Sequence, residues 1–443
     1  MVNFIDTIVA SATPPGVGGV GIVRISGSLT EDIARKILGS LPEPRTATYR
    51  YFLNKNGQKI DSGIVLYFPA PLSFTGESIL EIQGHGGPLL QSTIIETILD
   101  LGARHAKPGE FSQRAFLNGK IDLVQAEAIS DLINAGTEQA ARAAYRSLTG
   151  VFSNHIGILS ERLLKLRVHV EAAIDFPEEE INFLSDELLL SRISDCEKAF
   201  SNLLKKTNQG SLLRDGFQII IIGKPNVGKS SLLNFLSGQD LAIVTEIAGT
   251  TRDILREQID IDGLAVELID TAGLRDNPEI VEAEGIRRAR KAMETADALI
   301  IIQDITDIST ILNIEEIPKG LPTIFVQNKL DLCSVKPKIE DNSVQISAIT
   351  GEGMSELRRL IKEIAGYENL GEGAFTARKR HIQSLKKAAN HFFNGKNVFY
   401  EKQAGELLAE ELRLSHQALG EIVGTVSSDD LLGHIFSDFC IGK

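Results

Sequence analysis

The chain has 443 residues, 43% of them hydrophobic, with three cysteines and a formal net charge of −13. That length suggests about three domains, and that charge argues against wrapping nucleic acid over the whole surface, so RNA contact should be local or shared with a partner. The lack of an 18-residue apolar run, the absence of a basic-then-apolar start and the low cysteine count predict a soluble cytoplasmic protein without a disulfide framework.

Residues 1 to 118 alternate β-rich runs (Thr7–Ala10, Val20–Ser26, Ile60–Phe68, Ile79–Gln83) with helical stretches (Thr30–Leu38, Leu89–Leu101). Glycine and proline clusters separate them, which predicts an α+β domain. Gly16, Gly18 and Gly21 spell G-x-G-x-x-G, but that fingerprint must open a helix, and Val20 to Ile25 is β-branched and reads as strand. A dinucleotide fold is therefore rejected in favour of a glycine loop that admits a flat ligand or another backbone. Gly84-His85-Gly86-Gly87 is a second such loop, with His85 read as a local hydrogen-bonding group.

Helix dominates from 119 to 215. Leu123 to Tyr145 is alanine-rich, Ile156–Ala173 follows, and Phe176-Pro177 should end that helix because the residue before proline avoids the αR region. Glu178-Glu179-Glu180 reads as a solvated acidic turn and Leu188–Leu204 as another amphipathic helix. An α/β unit occupies 216 to 375, and helix returns over 376 to 443 (Ala377–Phe393, Ala404–Val423). Two helical segments flanking a complete α/β unit predict one helical domain with that unit inserted, since neither piece alone would bury much core.

The inserted unit carries the clearest chemistry. Ile219 to Ile222 reads as a strand buried on both faces. Gly223 to Ser230 then fits G-x-x-x-x-G-K-[ST] before a helix, a loop whose backbone N–H groups enclose phosphate. Lys229 would neutralise the β and γ phosphates and Ser230 would bind Mg²⁺. Asp270-Thr271-Ala272-Gly273 after the strand Ala265–Ile269 would reach the Mg²⁺ shell and the γ-phosphate. Asn328-Lys329-Leu330-Asp331 after Thr323–Val326 supplies a carboxylate for guanine N1–H and N2–H₂, donors that adenine lacks. Ser347-Ala348 after Val344–Ile346 would complete the base site. Four motifs after four strands predict GTP binding. Asp262-Gly263 signals a tight hairpin, and Ala248-Gly249-Thr250-Thr251 reads as switch I, with Thr251 on Mg²⁺. Leu274 stands where Ras-like enzymes place a water-orienting glutamine, so another group must align the water. Glu282 or Glu284 could do so, and Asn226 could hold a monovalent cation in place of an arginine finger.

The whole chain resembles the tRNA-modification GTPase family MnmE, also called TrmE. Beyond the nucleotide motifs, the resemblance is carried by Asp6-Thr7-Ile8-Val9-Ala10, Thr13-Pro14-Pro15-Gly16, Arg24-Ile25-Ser26-Gly27, Gly84-His85-Gly86-Gly87-Pro88, Gly109-Glu110-Phe111-Ser112, Arg114-Ala115-Phe116-Leu117-Asn118 and Phe439-Cys440-Ile441-Gly442-Lys443. Val17 stands where many relatives carry arginine. The resemblance implies a multidomain α/β protein with a folate-binding-like, dimerising N-terminal domain, a helical domain and an inserted P-loop GTPase. A 5-formyl-tetrahydrofolate-like cofactor would meet Arg24, Glu81, Lys120 and Lys443, residue types suited to a pterin and to folate carboxylates. A K⁺ site would comprise Asn226 and the carbonyls of Thr245, Ile247 and Thr250, and Glu282 would be the catalytic glutamate. Nucleotide contacts would also include Val227, Gly228, Ser231, Glu246, Ala248 and Gly249. Cys440 matches a cysteine suggested to act in the modification chemistry. The partner would be the flavin- and NADH-dependent MnmG, in a heterotetramer that installs an aminomethyl-type group, such as carboxymethylaminomethyl, at C5 of the tRNA wobble uridine, U34.

From residues alone Cys440 reads equally as inert or reactive, and a prenylation box is rejected because Lys443 and Gly442 do not fit it. Arg378-Lys379-Arg380 with Lys386-Lys387 reads more simply as a solvated face than as an RNA contact. A second reading is an Era-like switch, in which GTP state controls binding without second chemistry.

Overall fold

A computed structural model describes residues 6–175, 187–239, 255–270, 293–307, 318, 320–333, 339–368, 373–402, 404–426, 429–437, 439, 440 and 442. The chain forms two compact units, Met1–Ser130 with Gly420–Lys443, and Asp131–Leu419.

The first unit holds a six-stranded sheet of β1 (Ile8–Ser11), β2 (Gly18–Ser26), β3 (Thr48–Leu53), β4 (Lys59–Phe68), β5 (Ile79–Gly86) and β6 (Arg104–His105), in the order β3-β4-β5-β2-β1-β6. Its alternating Val9, Val23, Ile25, Val65, Leu80 and Ile82 point to one face. There they meet Ile33 and Ile37 of α1 (Thr30–Leu38) and Ile94 and Ile98 of α2 (Pro88–Asp100). The two glycine loops form one structure: Gly18 pairs with Gly86 and Gly21 with Gly84 across β2 and β5. A Cβ on Gly86 would lie 2.6 Å from Gly18 O and 2.7 Å from Val20 O, so the backbones approach as only glycine permits. G-x-G-x-x-G thus runs into a strand, which explains the failure of the dinucleotide reading. Strand β3 lies outside the sequence expectation because its exposed Tyr49 and Tyr51 alternate with only one fully buried residue, Phe52. Helix α3 (Glu110–Leu117) and the start of α4 (Leu123–Ile133) complete this unit with the end of the chain, Leu123 and Ala126 packing on Leu432, Ile435, Phe436 and Phe439.

The second unit has a seven-stranded sheet of β7 (Phe217–Ile222), β8 (Leu255–Ile261), β9 (Leu264–Asp270), β10 (Ala298–Asp304), β11 (Thr323–Asn328), β12 (Ile339–Glu340) and β13 (Ser343–Gln345), ordered β12-β13-β11-β10-β7-β9-β8. Ile219 and Ile221 bury on one face with α8 (Lys229–Gln239) and α9 (Met354–Ala365), while Ile220 packs with Met293, Leu299 and Ile301 on the other. The isoleucine run is therefore covered on both sides, as a central parallel strand requires.

Helices α5 (Glu138–Leu148), α6 (Val151–Asp175), α7 (Glu187–Asp215), α10 (Lys379–Lys402) and most of α11 (Gly405–Val423) belong to the same unit, and α12 (Asp429–Ser437) belongs to the first. The stretch expected as one helix from Leu123 to Tyr145 is broken after Ile133. Thr137 caps α5 by accepting a hydrogen bond from Ala140 N–H at 3.1 Å. Phe152 of α6 stacks at 4.5 Å on Phe375, in the segment leading into α10, and Phe200 of α7 lies 5.2 Å from Phe392 of α10, joining helix before the sheet to chain after it. Among the described residues no helix is long and apolar enough to cross a membrane.

Candidate functional site

Strands β13, β11, β10, β7 and β9 run parallel, so their carboxyl ends form one edge. In open α/β sheets ligands bind at that edge, and the sequence motifs arrive there: Gly223–Ser230 after β7, Asp270 closing β9, Asn328 closing β11 and Ser347 after β13. The β7 loop is shaped by two left-handed residues, Asn226 (φ 64°) and Gly228 (φ 98°). Lys229 is buried across it, Nζ donating to Gly223 O at 2.7 Å and Lys224 O at 2.8 Å. Asn226, Ser230 and Ser231 face solvent, and Val227 is buried.

Asn328 ties the loops together. Its Nδ2 donates to Val227 O at 2.9 Å and its Oδ1 accepts from Ala348 N–H at 2.9 Å. The buried Ser347 donates through Oγ to Asp331 Oδ1 at 2.6 Å while accepting from Thr350 N–H at 3.1 Å. Lys329, itself left-handed at φ 70°, ion-pairs with Asp304 at 2.6 Å. For Mg²⁺, serine and aspartate are oxygen donors that suit a hard cation; Ser230 lies in the first turn of α8, and Asp270 ends β9 in backbone register with Ile221 of β7. Thr245, Glu246, Ile247, Ala248, Gly249, Thr250, Thr251, Thr271, Ala272, Gly273, Leu274, Glu282, Glu284 and Lys443 lie outside the described residues, as does the acidic turn Glu178–Glu180.

In the first unit Arg24 and Glu81 face each other across β2 and β5, with Arg24 Nε donating to Glu81 Oε1 at 2.9 Å. Arg24 Nη1 also donates to Gly442 O at 3.3 Å, and its guanidinium lies 5.7 Å from the Phe111 ring centroid. The end of the chain thus reaches one of the expected folate residues. Lys120 Nζ donates instead to Pro71 O at 2.8 Å. Cys440 presents an exposed thiol, while its carbonyl accepts from Gly109 N–H at 3.4 Å.

Two family models together cover most of the chain. The "GTP-binding protein TrmE N-terminus" matches residues 7–120 and the "MnmE helical domain" matches residues 123–440. The tRNA modification GTPase MnmE of Coxiella burnetii (strain Dugway 5J108-111) is 50% identical over 99% of both chains, and that of Erwinia tasmaniensis is 51% identical over 100% of both. The chain belongs to the tRNA modification GTPase MnmE family. It is a GTP hydrolase with a P-loop GTPase fold. The crystal structure of the T. maritima FeoB G domain also matches, 27% identical over 34% of this chain and 98% of that one, with a TM-score of 0.26.

Several residues that mark the MnmE resemblance act as framework. Arg114, fully buried, donates to Asp6 Oδ1 at 2.9 Å, Glu77 Oε1 at 3.0 Å and Glu110 Oε1 at 2.9 Å, and Arg104 reaches Asp6 at 2.6 Å and Glu110 Oε2 at 2.8 Å. Burial alone would raise the Asp6 and Glu110 carboxyls, but hydrogen bonds from Arg104 and Arg114 and their charges hold both below the ordinary range. His85 is a local hydrogen-bonding group, as read: Asp61 accepts its Nδ1 side at 2.8 Å and its N–H at 2.9 Å. Arg378 departs from the solvated-face reading. It pairs with the buried Asp131 at 2.7 Å, which Arg214 also meets at 3.0 Å. Lys379, Lys386 and Lys387 are exposed. Sequence reasoning could not single out Asp131 or Asp304, because their partners are remote in the chain.

Proposed function

We propose that this GTPase works as a homodimer in tRNA modification, acting with the flavoprotein MnmG in a heterotetramer to modify C5 of U34 with a tetrahydrofolate one-carbon unit. The tRNA is the substrate and the cytoplasm the place of work. GTP is held by residues 223–231, switch I from Thr245 to Thr251, Asp270 to Gly273, Asn328, Lys329, Asp331, Ser347 and Ala348. Ser230 and Thr251 hold Mg²⁺. Asn226 with the carbonyls of Thr245, Ile247 and Thr250 holds K⁺, which supplies charge compensation that an arginine finger provides elsewhere at about 10³–10⁵-fold in rate. Glu282 arranges the water. Arg24, Glu81, Lys120 and Lys443 bind the folate, and Cys440 serves the modification. The domains divide as 1–118, 119–215, 216–375 and 376–443.

The observation that carries the reading is the Asn328 side chain, which bridges the phosphate loop at Val227 O and the base loop at Ala348 N–H. It is supported by near-full-length identity to proteins named tRNA modification GTPases. The Arg24–Glu81 pair supports folate binding by chemistry, since a carboxylate and a guanidinium complement a pterin and a carboxylate.

GTP turnover in KCl against NaCl tests the cation. Wild type should be faster in K⁺, and Asn226→Ala should lose that difference; equal wild-type rates in both salts would sink the K⁺ assignment. Nucleoside mass spectrometry of tRNA from a strain lacking the gene tests the product: U34 should lose its C5 group, and full modification would overturn the proposal.

A further inference from the structure

The base-recognition loop is braced by a residue outside every nucleotide motif. Asp304 closes β10 directly beside Asn328, its register partner on β11, and Ile305 N–H donates to Asn328 O at 2.9 Å. Both oxygens of the Asp304 carboxylate are engaged. Oδ1 accepts from Thr306 N–H at 2.9 Å and from Thr306 Oγ1 at 2.7 Å, while Oδ2 takes Lys329 Nζ at 2.6 Å. The Lys329 bond first, then the two from Thr306, hold the carboxyl near 2, so the anchor is charged at any physiological pH.

Two features make this more than a surface ion pair. Lys329 occupies the left-handed region at φ 70°, a conformation that a lysine keeps only where its surroundings over-determine it. Its immediate neighbour Asn328 is the residue that joins the phosphate loop to the Ser347-Ala348 loop. A flexible lysine stem pinned at its far end loses less freedom when a ligand arrives.

We infer that Asp304, oriented by Thr306, is a positioning residue for guanine-nucleotide binding, acting by anchoring Lys329 in the base-recognition loop. This rests on the reading of the sheet edge as the GTP site.

The test uses the full chain and a fluorescent GDP. Asp304→Asn should speed GDP release about tenfold, the order expected for loss of one charge-assisted hydrogen bond. The loss should fall on KM for GTP and spare kcat at saturation. Thr306→Val, which removes only the hydroxyl half of the brace, should shift release the same way by less. In a Lys329→Met background Asp304→Asn should add nothing. Wild-type release rates in both Asp304→Asn and Thr306→Val would overturn the inference. So would an undiminished Asp304→Asn effect in the Lys329→Met background. Failure of the parent reading has its own signature: wild-type chain that binds no fluorescent GDP at all overturns both.

Discussion

Gly228 shows how much of the nucleotide loop depends on one missing Cβ. Its φ of 98° is open to glycine and strained for any L side chain, and an added Cβ would fall on Asn328 Nδ2. Asn328 cannot yield without releasing Val227 O or Ala348 N–H, both held at 2.9 Å. Gly228→Ala should therefore weaken GDP binding by about tenfold or more, through lost loop geometry and backbone strain. Fluorescent-GDP titration measures it, and an unchanged Kd would mean that the Asn328 bridge does not organise the loop. Cys196 illustrates the opposite case, a residue made inert by its place: burial pushes its thiol to about 11, far from the thiolate that reacts.

At the scale of elements, the β8–β9 hairpin connects the stretch read as switch I, before β8, to Asp270 at the end of β9. Its two-residue turn has both φ angles positive, 52° at Asp262 and 96° at Gly263, so aspartate–glycine is the chemistry that a primed turn demands. The tip is packed: a Cβ on Gly263 would lie 2.5 Å from Gln139 Cγ of α5 and 3.0 Å from Tyr367 Oη. Asp262 also pairs with Lys362 of α9. Gly263→Ala should destabilise the unit by about 1–3 kcal/mol, the scale of a left-handed non-glycine residue in a crowded site. Gln139→Ala in the same chain should restore part of the loss by clearing the clash. Urea midpoints followed by circular dichroism test both, and full additivity of the two substitutions would refute the packing argument.

Each unit of the molecule has its own organising interactions. In the first, the Arg104–Arg114 cluster joins Asp6 before β1, Glu77 before β5 and Glu110 of α3. Removing one partner from such a buried network leaves charge without compensation. Glu110 has a depressed folded-state pKa despite the upward push of burial. Its stabilisation is therefore fully present above the ordinary value of 4.5 and is lost as pH falls through the folded value. The first unit should lose urea resistance below about pH 4.5. Glu110→Gln should be less stable at pH 7 by about 1–3 kcal/mol and show a shallower acid decline. An acid decline as steep as wild type in that variant would place the titration elsewhere.

Sequence alone determined the nucleotide motifs, the doubly buried strand before the first of them and most helix cores. These are local matters: an isoleucine run, a Gly-x₄-Gly-Lys-Ser spacing and an aspartate–glycine turn act over a few neighbours. It also revealed the family, through signatures such as Asp6, Glu110 and Arg114. Tertiary structure decided what those signatures do. Arg114 meets Asp6 across 108 residues of chain, Arg24 meets Glu81 across 57 and Arg378 meets Asp131 across 247. Lys329 meets Asp304 across 25. No periodicity reports such pairs, because a partner is chosen by sheet register and burial, which exist only once the strands and helices have packed.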